Sequence, residues 1–86
     1  MVYLSLGKII KPHGLKGAVK VFSHTDFAHL RYQKGQVVFY LDNKEYHPLT
    51  INEFFKQGNF DVVSFKEFSD IKQINVLLNK ELFIEK

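Results

Sequence analysis

The chain has 86 residues, 45% of them apolar, with nine Phe, four Tyr, no Trp and no Cys. That length holds one domain with a modest core, burying roughly 60–70% of the surface its unfolded form exposes, and the apolar share excludes wholesale disorder. A net charge of +3 with Arg31 the sole arginine permits an anionic partner and favours lysine point charges over bidentate base reading; the lack of Cys excludes disulfides, thiolate metal sites and thiol redox chemistry.

From Val2 to Ile10 the near-alternation of apolar and polar residues predicts a first strand, with Leu4 and Leu6 on one face and Tyr3 and Ser5 on the other. Strict parity would send Lys8 inward, so a bulge at Gly7 is expected, returning Ile9 to the interior and Lys8 to solvent. Lys11, Pro12, His13, Gly14, Leu15, Lys16 and Gly17 then read as a seven-residue loop of one shape. Pro12 fixes its own φ and biases Lys11 toward extended backbone, while Gly14 and Gly17 admit conformations closed to other residues. Ala18 to Ser23 is the second strand, Val19 and Val21 facing away from Lys20.

His24 to Gly35 carries turn signals and one helical turn presenting Phe27 and Leu30, with Thr25 or Asp26 as its cap. Gln36 to Leu41 is a third strand; Asp42, Asn43 and Lys44 turn into a fourth from Tyr46 to Phe55, in which Pro48 marks an edge. After the Lys56, Gln57, Gly58, Asn59 turn, Phe60 to Phe65 forms the fifth strand with Val63 and Phe65 inward. Ser69 and Asp70 precede Ile71, Ile74 and Leu77 or Leu78 at helical spacing, predicting a capped helix from Asp70 to Leu78. Leu82 and Ile84 begin a last strand. Six short strands with one or two short helices make a mostly β protein, a small antiparallel β-barrel.

The adjacent pairs Phe39 with Tyr40 and Phe54 with Phe55 must each point to opposite faces of a strand. More aromatic surface results than so small a barrel can hide, and the two helical segments are expected to cover it; the alternative is a docking face. No apolar run approaches the ~20 residues needed to span a bilayer, and Lys8 interrupts the N-terminal apolar stretch before a signal-peptide core forms, so a soluble, cytoplasmic protein is expected.

His13, His24, His29 and His47 lack accompanying Cys or a carboxylate cluster, so no metal site is expected. Ser23, His24 and Asp26 offer triad residue types as sequence neighbours only, without a nucleophile-elbow pattern, and no catalytic residue is assigned. Gly14, Leu15, Lys16 and Gly17 spell the GxxG of a KH loop, but that loop joins two helices and this one precedes a β-patterned Ala18, Val19, Lys20, Val21. A Walker loop is excluded by the missing Lys-Ser/Thr ending. What distinguishes the stretch is charge: Lys8, Lys11, Lys16 and Lys20 gather around it with no acidic residue before Asp26.

The segment from Gly7 through Lys8, Ile9, Ile10, Lys11, Pro12, His13, Gly14, Leu15, Lys16, Gly17, Ala18, Val19, Lys20 and Val21 resembles the N-terminal signature of the RimM family of bacterial small-subunit ribosome maturation factors. Thr25 and Asp26, Gly35 before an apolar strand, Pro48, Leu49 and Thr50, and Asp70 leading to Glu81, Leu82, Phe83 and Ile84 extend the resemblance over essentially the whole chain. Ala18 stands where a glutamate is frequent in the family, making the local charge more positive.

The resemblance implies a six-stranded barrel over residues 1–86 similar to the second domain of elongation factor Tu. A C-terminal PRC-type barrel domain normally follows in the family and is absent from this chain. It further implies a non-catalytic assembly chaperone, without cofactor, that aids maturation of the small-subunit head, with the small ribosomal subunit and its nineteenth ribosomal protein as partners. Lys8, Lys11, Pro12, His13, Gly14, Lys16, Gly17 and Lys20 are the expected partner-binding residues, toward rRNA or its bound protein. Two alternatives stand beside this reading. Similar barrels bind flavin in reductases through an Arg-x-Tyr-Ser/Thr pattern, which Arg31, Tyr32, Gln33, Lys34 does not fit; a purely structural docking module would use only its aromatic face.

Overall fold

The computed structural model describes residues 2–85, and two long, bent strands organise it. The strands are β1 (Tyr3–His13), β2 (Ala18–Ser23), β3 (Val37–Asp42), β4 (Glu45–Gln57), β5 (Phe60–Phe65) and β6 (Glu81–Glu85), with a one-turn helix α1 (Ala28–Arg31) and a 3-10 turn at Gln73–Leu77. They close into an antiparallel barrel in the order β1-β2-β5-β4-β3-β6.

β1 is shared between two neighbours, its first half pairing with β6 and its second with β2. β4 does the same with β3 and then β5. A register shift marks each corner: Ser5/Gly7 and Ile9/Lys11 in β1, Ile51/Glu53 in β4. The expected bulge at Gly7 is therefore present, with Ile9 buried and Lys8 exposed. Glycine is required there because a Cβ would lie 2.4 Å from the Phe22 carbonyl oxygen. Pro48 pairs with Phe39 on β3, whereas the β4–β5 ladder starts only at Ile51, so the proline lies in a half-strand with one partner.

The interior is filled by alternate residues: Leu6 and Ile9 of β1, Val19 and Val21 of β2, Val38, Leu49 and Ile51, Val63 and Phe65, and Leu82. Leu4, expected beside Leu6, is instead 43% exposed because it stands toward the start of β1, beyond the first bulge.

The helical segments differ from expectation. α1 buries Ala28, and Tyr32 just after it is buried too, whereas Phe27 and Leu30 face solvent. The Thr25 hydroxyl accepts the Phe27 N–H without capping the helix, which has no side-chain cap. The fixed point is the Tyr32 hydroxyl, 3.0 Å from Ser23 Oγ at the end of β2. Burial pushes the Tyr32 phenol up to about 12, the Ser23 bond opposing and the Asp61 charge adding to the shift. The second segment is a 3-10 turn shorter than the expected helix, burying Ile74 and Leu77. Asp70 Oδ1 accepts the Lys72 N–H and the Gln73 side chain accepts the Ser69 N–H, making turn geometry where the capped start of a helix was expected. Glu67 fastens the stretch after β5 to β4, accepting from the Thr50 N–H and hydroxyl. Burial works to raise the Glu67 carboxyl, but those two bonds, together with the Glu67 backbone N–H and the Lys66 charge, outweigh it and leave it lowered.

Candidate functional site

The loop is smaller than its sequence implies. β1 continues through Lys11, Pro12 and His13, and His13 pairs with Ala18, so the turn comprises only Gly14, Leu15, Lys16 and Gly17. Both glycines adopt positive φ, +73° and +89°. Their surroundings separate them. Gly14 has open space where a Cβ would stand, whereas Gly17 is buried and a Cβ would lie 2.9 Å from the Phe68 carbonyl oxygen. The Ile71 N–H donates to the Leu15 carbonyl from the same segment. Gly17 is thus a packing residue that pins the hairpin against residues 68–71, and Lys16 is displayed on an anchored turn.

Lys11 and Lys20 are direct partners across the β1–β2 ladder. Like charges so placed are destabilising, so the fold itself gains nothing from the pair. Lys20 Nζ lies 5.8 Å from the centre of the Phe60 ring, a cation–π arrangement that orients it. Lys8 pairs with Phe22 on one side and with Glu81 of β6 on the other, which makes it the margin of the basic surface. Pro12 is half-buried opposite Val19. His13, also half-buried, meets the Phe55 ring edge-on at 5.6 Å. All eight expected residues therefore lie on one hairpin, with Lys8, Lys11, Lys16 and Gly14 exposed, Lys20, Pro12 and His13 half-buried, and Gly17 withdrawn from the surface.

The structure adds residues that sequence reasoning passed over. Lys11, Lys20, Val62 and Phe55 form one row across β1, β2, β5 and β4. Val62 is fully buried yet outside the interior cluster, while its neighbours Asp61 and Val63 face inward. It is covered from outside, between Lys20 and Phe55. Phe22 meets Phe60 in a T-shaped contact at 6.3 Å and remains 54% exposed; Phe55 remains 47% exposed. The adjacency of Phe54 and Phe55 signalled that one ring must face out; nothing in the local pattern brought it beside His13. Asp61 contributes no charge to this face: it is buried, and Lys56 answers it at 3.7 Å, too far for a hydrogen bond.

The aromatic surface is covered differently from the expectation. Among the described residues, Phe54 is sheltered by Tyr32 at the end of α1, at 5.5 Å, while Tyr3, Phe39, Tyr46 and Phe83 pack on one another and Phe22 packs on Phe60. Tyr32 itself, which follows Arg31 where the flavin-type pattern has no fixed residue, is a core residue bonded to Ser23. Among the described residues, no group of metal-ligating side chains forms a cluster, and no helix is long and apolar enough to cross a membrane.

With this geometry in place, a family model described as the RimM N-terminal domain matches residues 4–86. A ribosome maturation factor RimM of Lactobacillus johnsonii is 39% identical over 82 residues, covering 95% of this chain and 47% of that protein. Its counterpart in Bacillus pumilus is 35% identical over 86 residues, covering 98% and 49%. The chain thus spans about half the length of the curated relatives it matches. A Pseudomonas aeruginosa crystal structure described as a 16S ribosomal RNA processing protein RimM superposes with a TM-score of 0.84 at 21% identity, over 99% of this chain and 51% of that one. The solution structure of the N-terminal domain of RimM from Thermus thermophilus gives 0.77 at 18%, over 99% and 91%. At those identities the two structures speak for the barrel.

Proposed function

The chain belongs to the RimM family of ribosome maturation factors, and on that premise we propose that it is the N-terminal barrel of a non-catalytic, cytoplasmic assembly chaperone for the small ribosomal subunit head. Its binding surface is the hairpin presenting Lys8, Lys11, Pro12, His13, Gly14, Lys16 and Lys20, with Gly17 holding the turn from beneath, which engages small-subunit rRNA or the nineteenth ribosomal protein bound to it. The C-terminal PRC-type barrel of the full-length protein acts beside it. The observation that carries the reading is the Lys11–Lys20 pair: two cations held opposite one another next to an anchored turn bearing Lys16. An arrangement with no benefit to the fold is what an anionic partner would use. The mechanism is transient contact that holds an immature region in a productive arrangement, strengthened by counterion release and lost as salt rises.

Lys11→Glu combined with Lys16→Glu tests this in the full-length protein. Co-sedimentation with free small subunits at physiological salt is expected to fall, with the thermal midpoint preserved because both side chains are exposed. Removal of two phosphate contacts lowers the slope of log affinity against log salt by about 1.4–1.8. Unchanged co-sedimentation would overturn the assignment of the hairpin.

A further inference from the structure

The outer face of β1, β2, β5 and β4 holds more than lysines. Phe22 and Phe55 are exposed rings on this face, and each is held by a second ring: Phe22 by Phe60 at 88°, Phe55 by His13 at 73°. Phe60 in turn carries Lys20 over its face. Val62 lies between Lys20 and Phe55 and is completely covered, so the side chains around it are packed rather than splayed. Lys8, Lys11 and Lys20 lie alongside, and neither β1 nor β2 contains a carboxylate; Glu81 of β6 stands opposite Lys8 at the margin of this face, and Glu53 lies further along β4 opposite Ser64, away from the Lys11–Lys20 pair. Two exposed rings among cations form a surface for a ligand that is both anionic and planar at intervals.

We propose that this face binds single-stranded RNA, with unpaired bases stacking on Phe22 and Phe55 and phosphates drawn to Lys8, Lys11 and Lys20. The proposal rests on the ribosome-assembly reading above and names the chemistry of its partner. Lysines alone would serve a duplex equally well, since phosphates are displayed by both forms. The rings decide between them, because only an unpaired base offers a free face for stacking. An acidic protein would satisfy the lysines yet give the rings no flat partner. Pre-packed rings also lose little freedom on binding, which favours affinity. Phe60 and His13 are positioning residues here, Phe60 orienting Lys20 and bracing Phe22, and His13 bracing Phe55.

The test uses the full-length protein and a fluorescein-labelled, ten-nucleotide, mixed-sequence RNA, single-stranded or annealed to its complement, followed by anisotropy. The single strand is expected to bind more tightly than the duplex. Phe22→Leu and Phe55→Leu keep apolar cover over the neighbouring side chains but remove the flat face, and each should weaken single-strand binding by about 5-fold to 150-fold. Phe22→Tyr and Phe55→Tyr, which keep a ring, should restore it. The leucine variants should leave the salt slope unchanged, whereas Lys11→Glu should reduce it. Equal affinity for duplex and single strand, or leucine variants that bind like wild type, would overturn the stacking proposal. So would leucine variants that lose the purified nineteenth ribosomal protein but keep the RNA. Co-sedimentation with small subunits, measured in parallel, separates the two readings: loss in the lysine variant with none in the leucine variants sinks stacking alone. A wild-type protein that binds the RNA but no small subunit would sink the assembly role alone.

Discussion

The barrel has two aromatic outer faces, and they are opposite in kind. On β1, β2, β5 and β4, Phe22 and Phe55 remain about half exposed among lysines. On β6, β3 and the first halves of β1 and β4, Tyr3 stacks on Tyr46 at 3.7 Å and 9°, Phe39 meets Tyr3 edge-on at 5.3 Å, and Phe83 meets Tyr46 at 5.2 Å. These rings complete one another. The outward positions of β6 around Phe83 are Glu81 and Glu85, with Glu81 accepting from Ser5. One face is ring-packed and bordered by acid; the other presents half-exposed rings and a cation pair. Exposed aromatic area alone therefore does not mark a binding surface in this protein. The sign of the surrounding charge and how much of each ring its partner leaves exposed do.

Gly7 lies where the two faces join, paired with Ser23 on β2 and Leu82 on β6, and offers the most disruptive way to break the distinction. In Gly7→Ala the new methyl meets Phe22 and Ser23 backbone atoms at 2.4–2.7 Å. Because backbone must move, a loss of about 3 kcal/mol or more in chemical denaturation is expected, together with loss of small-subunit binding as Phe22 shifts. A variant as stable as wild type would show that the corner yields more easily than its spacing implies.

A gentler experiment separates the faces. Tyr3→Ala removes the stacked and edge-on partners of the closed face and should lower stability by about 1–2 kcal/mol while co-sedimentation at saturating protein stays intact. Phe22→Leu should show the reverse, little change in the denaturation midpoint and weakened binding. Matching losses in both properties for both variants would erase the functional contrast between the two faces.

The smallest expected effect concerns the α1 end of the barrel, where β2 leaves the lysine face. Tyr32 is raised from 10.0 to about 12. Below pH 10 the phenol is protonated in folded and unfolded chains alike, and its stabilisation is fully present. As pH rises from 10 through about 12 the unfolded chain releases this proton first, so stability declines. Tyr32→Phe should be less steep across that window in denaturation series at fixed ionic strength. An identical slope would mean that the hydroxyl is not held in the buried contact with Ser23.

Much of this was readable from local pattern, and the failures have a common cause. Val19, Val21, Val63, Phe65 and Leu82 occupy the interior as alternation required, and Gly7 carries the bulge that the parity of Lys8 and Ile9 demanded. Residue type and period suffice where one face of a strand is buried. The helical segments were read less well, since Phe27 and Leu30 have the spacing of a buried stripe but lie outside while Ala28 and Tyr32 go in. In a single turn, the anchor is set by what the barrel end offers, here Ser23, and not by period. The seven-residue loop shrank to four for a similar reason: Pro12 needs no N–H partner on one side, and His13 finds Ala18 across the hairpin.

The sequence by itself determined the strand order along the chain, the barrel class, the family resemblance and the gathering of Lys8, Lys11, Lys16 and Lys20 before any acidic residue. Those features depend on neighbours a few residues apart, where alternation, turn chemistry and charge are directly written. Only the tertiary structure decided that Lys11 stands opposite Lys20, that Gly17 is a packing residue under Phe68, and that Phe55 of β4 joins His13 of β1 beside Phe22 and Phe60. Barrel closure and register set those meetings, because they juxtapose side chains whose separation along the chain carries no local signal.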